Sequence, residues 1–82
     1  MNKGDLLYLP ANARIIFRDG VDRWVFWETQ TPSSAVFLKN EQGGACPINA
    51  LPNPVIKMYW DSKFCWTPKE DIFLARKKEV SL

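Results

Sequence analysis

Apolar residues fall in short runs along the chain: Leu6 to Leu9, Ile15 to Phe17, Val21 to Trp27, Val36 to Leu38, Val55 to Trp60, Phe64 to Trp66 and Ile72 to Leu74. The runs are rich in β-branched and aromatic side chains, which suit a pleated, half-buried surface and favour strand over helix. Between them stand Pro10-Ala11-Asn12, Asp19-Gly20, Thr31-Pro32-Ser33-Ser34, Gln42-Gly43-Gly44, Pro52-Asn53-Pro54 and Asp61-Ser62-Lys63. Each of these restricts φ, permits positive φ or offers a local side-chain hydrogen bond. The pattern predicts five or six short strands. Asp19-Gly20 is placed to join Arg14–Arg18 to Val21–Glu28 as a hairpin, and Asp61-Ser62-Lys63 to join Val55–Trp60 to Phe64–Thr67. Residues 40–54 make the long connection and the segment expected to be most mobile. Pro68 to Asp71 predicts one helical turn, opened by proline and with acidic residues in its first turn.

Faces matter as much as elements. Along a strand, alternate residues point to opposite sides, so Asp22, Trp24, Phe26 and Glu28 share one face while Val21, Arg23, Val25 and Trp27 share the other. Both faces carry large apolar groups, and the same holds for Leu6–Leu9, Ile15–Phe17 and Val36–Leu38. A small barrel has one interior. Part of this surface must therefore be covered by the long connection or by a partner, or be left in water. Phe26, Trp60 and Val25 are expected in the core. Trp24, Trp27, Tyr59 and Trp66 divide evenly between core and contact roles.

With 82 residues the chain has room for one core, in a single domain over residues 1–75, with residues 76–82 read as a flexible basic tail. An apolar fraction of 46% is that of a folded chain. No apolar run approaches the roughly 20 residues that span a bilayer as a helix, and the start lacks a signal-peptide core, so the expectation is cytoplasmic with no membrane contact. The net charge of +2 resides in Arg76, Lys77, Lys78 and Glu79, leaving residues 1–75 neutral. A neutral body lacks the broad positive field of a general nucleic-acid binder. The chain has no histidine and two cysteines, Cys46 and Cys65. That set provides no Ser/His or Cys/His nucleophile pair and too few ligands for a zinc site, so neither catalysis nor a cofactor or metal is expected. The cysteines fit free thiols in a reducing compartment.

Val55 to Ile72 contains a strand ending in Trp60, a tight turn, a return strand with Trp66-Thr67-Pro68, a short helical turn and then Ile72. It resembles the closing half of Src-homology-3-like and Tudor-like small barrels. Lys3-Gly4-Asp5-Leu6-Leu7-Tyr8-Leu9-Pro10 is similar to the opening of many such barrels, including KOW-type ones. The resemblance covers residues 3–10 and 55–72, about a third of the chain. It implies an all-β, five- to six-stranded Src-homology-3-like barrel with one short helical turn near the C-terminus. The glycine usual before the tryptophan is Cys65 here, and the acidic peptide-binding loop is missing, so proline-peptide binding does not carry over. A stand-alone chain of this size also resembles small accessory proteins of phages, which often bind a host factor.

The resulting expectation is a non-catalytic module, an inhibitor or adaptor, that binds a protein partner through Trp24, Trp27, Tyr59 and Trp66 with Arg18 and Arg23 beside them. A homodimer is a further expectation, because a leftover strand face or edge is readily covered by a second copy. The alternative is single-stranded RNA or DNA binding, with bases stacked on the aromatics and phosphates held by Arg14, Lys57, Lys63, Arg76, Lys77 and Lys78. Without stacking partners these basic residues are a solvated face. A nucleotide pocket lined by Trp and Arg is the third reading.

Overall fold

Two local hairpins supply the framework of the fold, seen in a computed structural model that describes residues 1–21, 23–41 and 48–75. Strands β1 (Leu6–Leu9), β2 (Arg14–Arg18), β3 (Trp24–Glu28), β4 (Ser33–Glu41), β5 (Val55–Trp60), β6 (Lys63–Pro68) and β7 (Phe73–Leu74) form one antiparallel sheet in the order β3-β2-β6-β5-β4-β1-β7. Single 3-10 turns occupy Ile48–Ala50 and Lys69–Asp71. The β5–β6 hairpin closes on Asp61-Ser62, whose φ angles of 51° and 63° are the paired positive values that match the twist of its strands. Lys63 belongs to the return strand and not to the turn. The β2–β3 connection runs through Gly20, at φ 89°, and is longer than expected because β3 begins at Trp24 and not at Val21.

Among the described residues the strands number seven, where five or six were expected. The added strand is the two-residue β7, where Phe73 and Leu74 pair with Tyr8 and Leu7. The predicted helical turn occurs over Lys69–Asp71, with Pro68 as the last residue of β6. The Ile48–Ala50 turn was not legible in the chain's polar pattern. Cys46, residues 42–47 of the long connection and the basic tail with Arg76, Lys77 and Lys78 lie outside the described residues.

The sheet order requires curvature. In a flat sheet, neighbouring strands lie about 4.8 Å apart, so β1 and β2, four places apart, would be separated by about 19 Å. Leu9 and Arg14 are joined by a connection that reaches at most about 18 Å when straight, and it is folded into a turn with Asn12 at φ 70°. The same constraint joins Pro68 of β6 to Phe73 of β7 through a 3-10 turn. The sheet is therefore rolled on itself. No ladder connects its edges β3 and β7, so the expected closed barrel is not formed.

The concave face holds the main core: Leu7, Leu9, Ala13, Ile15, Ala35, Phe37, Ile56, Met58, Cys65 and Ile72, with Phe17 and Trp60 packed against it. A register shift in β4 between Phe37 and Lys39 bends this long strand, which pairs with β1 through its first half and with β5 through its second. Thr29 ties the roll at one end. Its hydroxyl accepts from the Ala13 N–H at 2.9 Å and donates to the Pro10 carbonyl at 2.7 Å. At the other junction Asp71 accepts from the Arg14 main-chain N–H at 2.9 Å and from its guanidinium at 2.8 and 2.7 Å. Glu70 accepts from the same guanidinium, and the Thr67 hydroxyl donates to the Arg14 carbonyl at 2.6 Å.

Candidate functional site

The convex face of the sheet is also apolar, and only half of it is covered. On the β2–β6 side, Ile16, Ile48, Leu51 and Val55 form a second buried cluster, with Trp24 and Trp66 packed against it. The cover is the 3-10 turn Ile48–Ala50 and the residue after it. Trp24 and Trp66 sit 5.5 Å apart, centroid to centroid, and the Trp66 indole N–H donates to Glu41 at 3.2 Å. Both indoles are half-buried, so their sequence-level division between core and contact resolves as partial cover.

The other half of this face is open. Strand register places Leu6 opposite Val36, Val36 opposite Tyr59 and Tyr59 opposite Phe64, a row across β1, β4, β5 and β6. Tyr8 lies two residues from Leu6 on the same side and pairs with Phe73 of β7. Leu6, Tyr8, Tyr59, Phe64 and Phe73 are between 41% and 57% exposed, so five large apolar side chains make one contiguous surface. Ring contacts organise it. Tyr59 meets Phe64 edge-on at 5.4 Å, and Tyr8 meets Phe73 at 6.3 Å. Lys57, beside Tyr59 in the same face, holds its ammonium 5.0 Å from the Phe64 ring and 5.4 Å from the Trp66 ring. A cation over two rings is attracted by their negative faces and fixes their orientation.

Of the expected partner residues, Tyr59 stands in this open surface and Trp66 borders it through Lys57. Trp27 is 47% exposed but faces the opposite side, at the sheet edge, while Arg18 lies 5.6 Å over the Trp24 ring. Arg23 is exposed just before β3, so the six residues do not form one patch. Phe26, expected in the core, is 59% exposed, because β3 is an edge strand with a neighbouring strand on one side only. Val25 and Trp60 are half-buried, and Trp60 is held by an indole N–H bond to the Ser33 hydroxyl at 2.9 Å. Leu6, Tyr8, Phe64 and Phe73 were missed. Alternation of Leu6 and Tyr8 with the buried Leu7 and Leu9 is their one signal, and it becomes decisive only with the register.

Three basic residues of the nucleic-acid alternative, Arg14, Lys57 and Lys63, have internal partners. Arg14 is bound by Glu70 and Asp71, each at 2.7 Å, which raises its pKa and holds the Asp71 carboxyl below the usual carboxylate range. Lys63 pairs with Asp61 at 2.9 Å and lies over Phe17 and Trp60. Two shallow recesses flank β3, one of about 340 Å³ beside Arg14, Phe26, Trp27 and Leu51, and one of about 290 Å³ beside Phe17, Trp27, Trp60 and Lys63. The Cys65 thiol is buried in the main core, where desolvation pushes its pKa up to about 12. Among the described residues, no group of three or more His, Cys, Asp or Glu side chains could hold a metal, and no helix is long and apolar enough to cross a membrane. No protein-family model matches the chain, and neither a curated protein nor a solved structure matches it.

Proposed function

We propose that the protein is a non-catalytic interaction module, a rolled Src-homology-3-like sheet that presents its open convex face to a protein partner. The observation that carries this reading is the contiguous surface of Leu6, Tyr8, Tyr59, Phe64 and Phe73. Fully burying a large apolar side chain contributes about 1.5–3 kcal/mol, and these five are about half exposed, so covering them contributes about 4–8 kcal/mol toward the cost of association. Rigid aromatics on paired strands lose little freedom on binding, as expected of hot spots. Such a module fits the role of an inhibitor or adaptor, as in a small phage protein acting on a host factor inside the cytoplasm.

The stacking arrangement of Lys57 with Phe64 and Trp66 favours one second reading, single-stranded nucleic acid or a nucleotide held by base stacking. Against it, residues 1–75 are neutral, and Arg14, Lys57 and Lys63 are each engaged by a carboxylate or a ring of the same chain. The test is affinity capture from lysate with and without nuclease, using the wild type and Tyr59→Ser/Phe64→Ser. A protein captured in both arms and lost with the double variant supports the proposal. Capture abolished by nuclease, or affinity for an oligonucleotide that falls steeply with salt, would replace it with the second reading.

A further inference from the structure

We propose that β3 is a self-pairing edge: two copies join antiparallel through this strand about a twofold axis at Phe26, making one continuous sheet. This surface is separate from the convex patch, and the inference does not depend on the function proposed for that patch. The hydrogen bonds that bracket the β2–β3 hairpin fix which main-chain groups face out. Asp19 donates to the Arg23 carbonyl at 2.7 Å, and Thr29 donates to the Ala13 carbonyl at 3.0 Å. In an antiparallel pair, inward and outward residues alternate. Arg23, Val25, Trp27 and Thr29 therefore turn their N–H and C=O groups toward β2, and Trp24, Phe26 and Glu28 turn theirs toward the open edge.

With the axis at Phe26, these outward groups meet their own kind. Phe26 exchanges both main-chain bonds with its symmetry mate, and Trp24 exchanges both with Glu28 of the second copy. The same register sets Val25 against Trp27 on the concave side. Phe26 and Trp27, both exposed in the single chain, are covered together. Charge agrees with the antiparallel sense. Glu28 lies at one end of β3, and Arg18, paired with Trp24 and stacked over its ring, lies at the other. Pairing brings each Glu28 beside the Trp24–Arg18 stack of the second copy, whereas a parallel arrangement would set Glu28 against Glu28. The strand itself has no proline, lysine or bulge of the kind that blunts a free edge, and its residues are of high β-propensity.

The experiment is mass by light scattering and sedimentation for the full chain, from low concentration up to about 100 μM, where a micromolar dimer is mostly formed. The wild type is expected at twice the monomer mass. Phe26→Lys sets two cations across the axis and is expected to weaken the dimer by at least about 30-fold, a 2 kcal/mol change of the size that like charges in a contact produce. Phe26→Pro removes an outward N–H that the monomer does not use, so it should give a monomer with unchanged strand content by circular dichroism. Glu28→Arg should weaken association, and Arg18→Glu/Glu28→Arg should restore it. A wild type that stays monomeric throughout, or a dimer that persists in both folded Phe26 variants, overturns the inference.

Discussion

Thr29→Val removes one oxygen and keeps the volume and shape of the side chain, so it isolates the bonds that tie the roll at the β1–β2 turn. Thr29 is 2% exposed, and its hydroxyl serves the Ala13 N–H and the Pro10 carbonyl at once. Its main-chain bonds to Asn12 and Ala13 persist in the variant. Two neutral hydrogen bonds contribute about 0.5–1.5 kcal/mol each, and leaving the buried Ala13 N–H without a partner costs about 1 kcal/mol more, giving an expected loss of about 2–4 kcal/mol. In a domain of this size that lowers Tm by about 10–25 °C. Urea titration followed by tryptophan fluorescence and by circular dichroism reads the change, with coincident transitions as the check on two-state behaviour. Thr29→Ser keeps the oxygen and should lose less than about 1.5 kcal/mol, chiefly for the missing methyl. A Thr29→Val variant within about 0.5 kcal/mol of the wild type would refute the claim that these bonds secure the curvature.

Asp71→Asn should cost about 1.5–3 kcal/mol at neutral pH, since it replaces charge-assisted bonds to Arg14. The Arg14 guanidinium depresses the folded-state pKa of Asp71, so its contribution is present above the unfolded value of about 4 and is lost as pH falls through the lower folded value. Urea midpoints measured across the acid range should therefore fall less steeply in the variant than in the wild type. Ser62→Gly relieves a non-glycine residue at φ 63° in the β5–β6 turn and should raise stability by about 0.5–1 kcal/mol in the same titration. Met58→Ala opens a cavity at a fully buried position and should cost about 2–5 kcal/mol, while Phe64→Ser on the convex face should cost less than about 1.5 kcal/mol. Cys65 should resist a thiol reagent in the native protein at pH 8 and react once urea unfolds it, as peptide mapping of the labelled cysteine would show.

Strand content and both hairpins were legible because they depend on neighbours: alternation within Ile15–Phe17 or Val55–Trp60, and turn residues between them. The surplus of apolar surface was legible too, since Leu6–Leu9 and β3 carry apolar groups on both sides. Which side meets water depends on who sits beside whom. Phe26 reads as core until β3 is known to be an edge, and Phe64 reads as ordinary until it stands opposite Tyr59. Trp66 was half-covered by a 3-10 turn at Ile48–Ala50 that has neither a capping residue nor helical periodicity to reveal it. The short β7 was hidden because a two-residue strand has no alternation to detect, and its existence rests on Tyr8 and Leu7 more than sixty residues away.

The order of strands in the sheet also dictates an order of assembly. β1 is flanked by β4 and β7, and β2 finds its second neighbour only in β6. During synthesis the β2–β3 hairpin leaves the ribosome early and waits, with Ile15 and Phe17 unshielded, until the β5–β6 hairpin emerges and supplies the seam. A nascent chain halted at Trp60 has strands that cannot be joined into one sheet, since the strand linking its two parts has not been made. Folding is thus deferred until nearly all of the described chain is available, and such distant pairings place the domain among slower folders of its size.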